Sequence, residues 1–192
     1  MSGRSLHWRG TAALALFTAA LVGVAGCGSA ETAARPPCPS VAILGDAAAL
    51  TRFASGAGQD LVDVDFHVEI VDLLAGCRYV TADQGERTIV TDLAPVFLAS
   101  RGPANRSREA SFTYFVSIVG GGRDILGKQS FALAVAFPGN LSRVEVQDDR
   151  PPITINIPLP SGRDASAYEI LVGLQLTADE LDYNRMSPTS LR

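Results

Sequence analysis

The sequence predicts an all-β domain: an antiparallel β-sandwich of about seven strands with a short C-terminal helix. Three observations carry this. Leu61 to Leu73 alternates strictly, with Val62, Val64, Phe66, Val68 and Ile70 on one face and Asp63, Asp65, His67 and Glu69 on the other, the pattern of a strand with one wet face. Two apolar runs, Ala110 to Val119 and Ile125 to Phe137, flank the turn sequence Gly120-Gly121-Gly122-Arg123-Asp124 and read as a hairpin. Further β-branched runs follow between Pro, Gly, Asn and Asp clusters, which leaves little room for helix.

Taken in order, the elements begin with Val41 to Leu44, a short first strand. Asp46 to Ala54 holds Ala-Ala-Ala-Leu and predicts a helical turn that Gly56 and Gly58 end. Gly76 is expected to break the long alternating run, with Cys77 to Val80 continuing extended. Thr88 to Ala99 is the next strand, and Pro95 inside it points to an edge position or a bulge. After the hairpin, Pro138-Gly139-Asn140 turns the chain into Leu141 to Val146. Ile153 to Leu159 and Tyr168 to Leu176 complete the set. Thr177-Ala178-Asp179-Glu180 is a capping box that opens a helix through about Arg185, with Leu176, Leu181 and Met186 to dock it. The sandwich expected is immunoglobulin-like in shape only, because the sole tryptophan is Trp8 and no Cys…Trp…Cys spacing exists. A barrel is the alternative closure.

The first 26 residues read as a targeting segment. Arg4 and Arg9 precede the apolar stretch Thr11 to Val24, which is too short to span a bilayer and of the length of a signal peptide. Val24-Ala25-Gly26-Cys27 then resembles the lipobox of bacterial lipoproteins. That resemblance covers residues 1–28 and implies cleavage before Cys27, diacylglycerol on its thiol, and membrane attachment through acyl chains, since two or more chains hold stably where one is marginal. In that family an Asp after the cysteine commonly retains the protein at the inner membrane. Gly28 therefore favours the periplasmic side of the outer membrane. Residues 27–37 read as the lipidated cysteine and a flexible tether, 38–186 as the sandwich, and 187–192 as a tail.

The part after residue 26 carries 14 basic against 20 acidic residues, a net charge of −6 that disfavours nucleic acid as a partner. With Cys27 assigned to lipid, Cys38 and Cys77 remain in an oxidising compartment, and a disulfide between them is expected.

Residues able to carry chemistry are few. His67 is the one histidine after the leader, and no nucleophile-elbow, zinc-helix or phosphate-loop pattern occurs. Asp63, Asp65, His67 and Glu69 share a strand face and are weak candidates for a cation; no calcium-type loop accompanies them, and a solvated face paired with arginines of a neighbouring strand is the expected reading. No cofactor and no catalysis are expected. The function expected is a membrane-anchored, non-catalytic envelope lipoprotein that binds another envelope protein or structures a periplasmic assembly. The alternatives are a small-ligand or carbohydrate module, which needs an aromatic-lined groove, and a hydrolase centred on His67.

Overall fold

The computed structural model describes residues 36–56 and 58–186. The segment 1–26 read as a leader, Cys27, residues 28–35 and the tail 187–192 lie outside the described residues.

Alternating apolar side chains need an apolar partner layer, and two sheets provide it for each other. The strands are β1 (Ser40–Ile43), β2 (Ala49–Phe53), β3 (Val64–Thr81), β4 (Arg87–Arg101), β5 (Glu109–Gly120), β6 (Ile125–Ala136), β7 (Arg143–Gln147), β8 (Ile153–Leu159) and β9 (Tyr168–Leu174), followed by the helix α1 (Ala178–Met186). The first sheet runs β1-β9-β5-β6. The second runs β2-β3-β4, and β7 and β8 lie end to end along the far edge of β4. Pairings are antiparallel apart from β1 with β9, which is parallel. The expected all-β sandwich is therefore what the chain forms, with nine strands among the described residues where about seven were predicted.

The core is one cluster drawn from both inner faces. Phe112, Tyr114, Val116, Ile170 and Val172 of the first sheet meet Leu50, Val68, Ile89, Leu93 and Phe97 of the second. Tyr114 is fully buried, stacked on Phe131 with centroids 5.2 Å apart and tilted on Phe97 at 4.9 Å. Such ring pairs add about 0.5–1.5 kcal/mol each beyond their buried area. Its hydroxyl donates to Asp148 Oδ2 at the end of β7, tying one sheet to the other. Burial, and then that bond to a carboxylate, pushes the Tyr114 phenol well above the ordinary tyrosine range.

Several expectations are corrected. β3 does not break at Gly76 but runs through it. Its register with β4 slips at Val71, so the inward set changes from Phe66, Val68 and Ile70 to Leu73, Cys77 and Tyr79. One extra residue inverts the phase of the alternation, and the sequence shows that inversion as an interruption. At the near end, Leu61–Asp63 forms a 3-10 turn, so Val62 is 70% exposed instead of facing the core. The predicted helical turn at 46–54 is a 3-10 turn at Gly45–Ala47 followed by β2. There the ladder with β3 overrides alanine's helix preference. Pro95 sits on a central strand, buried where β4's partner changes from β8 to β7, across from the Val71 bulge.

The cysteine pairing is observed. Cys38 and Cys77 are joined with Cα atoms 5.8 Å apart, within the usual span of a disulfide. Cys38 lies two residues before β1 of the first sheet and Cys77 in β3 of the second, so the bond staples the layers. The Tyr79 hydroxyl beside it donates to the Pro37 carbonyl at 2.5 Å.

The capping box forms as read: Glu180 accepts from the Thr177 N–H at 2.8 Å, and Thr177 Oγ1 from the Glu180 N–H at 3.3 Å. Docking of α1 is more polar than expected. Asn184 is buried and donates to the carbonyls of Asp46 (3.1 Å) and Ala49 (2.7 Å). Glu180 pairs with Arg52 at 2.9 Å, and Tyr183 packs edge-on against Phe53. Leu176 and Leu181 are half-buried, whereas Met186 is 76% exposed and takes no part.

Candidate binding surface

The residues singled out on β3 separate in the folded chain. Asp63 belongs to the 3-10 turn, where its carboxylate accepts the Asp60 N–H at 3.3 Å. Asp65 remains on the strand. His67 and Glu69 form a short relay with β2: Thr51 Oγ1 lies 2.8 Å from His67 Nδ1, and His67 Nε2 lies 2.9 Å from Glu69 Oε1. Register explains the meeting, because Thr51 is directly opposite His67. The cross-strand partner is thus a threonine and not an arginine. Among the described residues no group of three or more His, Cys, Asp or Glu side chains converges to hold a metal ion.

The relay puts a hydroxyl, an imidazole and a carboxylate in hydrogen-bond sequence, which is the order nucleophilic catalysis uses. Its setting differs from a reaction centre. Thr51 is mid-strand and 8% exposed, and Glu69 is on the same strand as the histidine, two residues on, at the open outer face. A second polar cluster farther along that face joins Arg78, Asp92 and Thr154. Thr154 Oγ1 donates to Asp92 at 2.9 Å, Arg78 pairs with its other oxygen, and the two together hold the Asp92 carboxyl below its ordinary range.

A different feature stands at the side of the sandwich where β6 ends the first sheet and β8 borders the second. Between them is a groove of about 310 Å³. Val116, Ile118, Phe131, Ile153 and Ile155 form its apolar floor, and Gln129 and Thr154 stand at its rim. Its depth comes partly from Gly127, whose missing Cβ would only touch Ile118 Cδ1 at 3.9 Å. Both walls are strands with one partner only: β6 pairs with β5 and β8 with β4.

The ladder phase tells which peptide groups β6 leaves open. Phe137 N–H bonds Arg108 O, so odd-numbered residues of β6 bond to β5 and even-numbered ones turn their N–H and C=O to the free edge. Those open groups belong to Lys128, Ser130, Ala132 and Ala134; the regular phase ends at Gly127, where Leu126 bulges out of register with β5. Lys128 also lines the groove, and its ammonium rests 4.0 Å from the Phe115 ring centroid on the outer face. Phe115 is itself buried on that outer face, beneath Lys128. An open strand edge beside an apolar slot has the chemistry that β-strand addition uses: main-chain bonds along the edge and a slot for alternate side chains. Sequence reading marked β6 as a strand and missed the edge, whose one signal is a 12-residue run with a single charge and no proline.

Among the described residues no helix is long and apolar enough to cross a membrane. Neither a family model nor a curated protein matches the chain. Among solved structures it is similar to the variable (V) domain of the Streptococcus agalactiae AgI/II polypeptide BspA, with 10% identity over 68% of this chain and 73% of that chain and a TM-score of 0.18.

Proposed function

We propose that the chain is a lipid-anchored envelope protein, held through Cys27 on the periplasmic side of the outer membrane, whose sandwich is a non-catalytic module that binds polypeptide in the β6–β8 groove. The observation that carries this is the groove itself, with an apolar floor beside a strand edge whose peptide groups are open. The lipobox residues supply the address, and the Cys38–Cys77 bond accords with an oxidising compartment. A net charge of −6 after the leader sets nucleic acid aside as the partner.

The anchor is tested by growth on labelled fatty acid: wild type takes up label and Cys27→Ala does not. Label on the mutant overturns the anchor. The binding reading is tested with a photo-crosslinking side chain at Gln129 or Thr154 in intact cells. A discrete crosslinked polypeptide is expected at both positions and not from a control at Glu145; none at either ends the reading.

The Thr51–His67–Glu69 relay favours a second reading, hydrolysis centred on His67. It requires covalent labelling by an acylating or phosphonylating probe, abolished in Thr51→Val and in His67→Ala. An unlabelled wild type removes it.

A further inference from the structure

Natural sheets guard their free edges with short strands, charges, prolines or covering elements. Nearly every edge of this sandwich is guarded so. β1 has four residues and β7 five, the latter with Arg143 and Glu145. β8 holds Pro158, and α1 covers β2 through Asn184 and Ala49 O. The far half of β3 carries Asp72 and Arg78 and is stapled to Cys38. β6 alone is long, nearly uncharged and free of proline.

Its sequence is also complementary to itself when reversed. We infer that the occupant of the groove is a second copy of this chain, paired antiparallel β6 to β6 about a twofold axis at Ser130. The inference rests on the groove being a polypeptide site. In that register the open peptide groups of even-numbered residues face each other, as a ladder requires. On the outer face Lys128 lies opposite Ala132 of the second copy, so large meets small and no like charges meet. On the inner face Gln129 lies opposite Phe131, and Gly127 opposite Leu133. Leu133 is only half-buried in the single chain, and the space beside Gly127 is part of the groove. Each copy fills the other's gap, and the two first sheets become one of eight strands.

The test uses the full chain in its membranes. With Cys38 and Cys77 already bonded and the Cys27 thiol taken by lipid in the proposed anchor, a cysteine at position 130 supplies the reactive thiol, and the wild-type chain is the control for any thiol left at Cys27. Ser130→Cys with a short bis-maleimide gives a product of twice the chain's mass. Lys128→Cys does not, because positions 128 of the two copies lie four residues apart along the ladder. Ser130→Lys sets two ammonium groups face to face and weakens the dimer by about tenfold in sedimentation, with the strand circular-dichroism signal unchanged. Crosslinking from position 128 but not 130 overturns the inference. So does a monomer at tens of micromolar. A monomer that still crosslinks a different polypeptide from Gln129 removes the second copy and leaves the groove's use standing; a monomer with no crosslinked polypeptide removes both.

Discussion

The two flanks of the sandwich are built on opposite rules. On the β1–β2 flank the edge is covered and tied down: α1 lies over β2, Asn184 takes the carbonyls of Asp46 and Ala49, and the disulfide pins the approach to β1. On the β6–β8 flank the sheets part, Phe131 and Ile153 are only half-covered, and the ladder of β6 stops in mid-air. The first flank is closed over by a helix and a covalent bond, while on the second no element covers the free edge of β6. Stability is therefore expected to concentrate on the first and binding on the second, since surfaces that bind leave groups open that a closed fold would satisfy.

Mutations should separate the flanks in that order of size. Cys77→Ser releases a loop of about 40 residues and should cost about 3–4 kcal/mol in denaturant unfolding, with no change in what crosslinks at the groove. A loss under 1 kcal/mol would show the closed flank does not depend on its staple. Asn184→Ala removes two bonds to main-chain carbonyls and should cost about 1–3 kcal/mol. Because it loosens α1 over β2, it should also speed aggregation, which static light scattering would detect. Tyr114→Phe removes the tie between the sheets and should cost about 1–2 kcal/mol at neutral pH. The sign with pH follows from the raised phenol: its contribution is full below the ordinary tyrosine value near 10 and is lost as the pH rises above it. Melting temperature should thus fall more steeply above pH 10 in wild type than in Tyr114→Phe, and parallel curves would refute the link. Gly127→Val is the smallest in stability, within about 0.5 kcal/mol, because Gly127 is not in the left-handed region and its added atom meets only ordinary contact. Yet it should abolish groove crosslinking, so normal crosslinking would move the binding site elsewhere.

Much of this was legible in the chain. The hairpin of β5 and β6, the strands β8 and β9 and the capping box at Thr177 were readable because each is set by neighbours in sequence. The bulge at Val71 was not, since a one-residue slip leaves two correct alternations out of phase and resembles a break. β2 was misread for the converse reason: Ala47 to Leu50 prefers helix in isolation, and the pairing of Leu50 with Val68 decides otherwise. Of the candidate site, His67 and Glu69 were placed on one face correctly, but Thr51 enters only through register with a strand 16 positions away. The groove was invisible because being an edge is a property of topology, and nothing within β6 states which strands lie beside it.

The position of the staple has a mechanical consequence. β1 is four residues long and would be the first strand to peel under tension along the chain preceding it. Such tension meets Cys38 before β1 and passes through sulfur into the far half of β3, the longest strand. Load is thereby shared across the 15 paired positions of β3 and β4 and shears them together instead of unzipping the edge. A domain wired this way can be tugged from its amino-terminal side without surrendering its first strand.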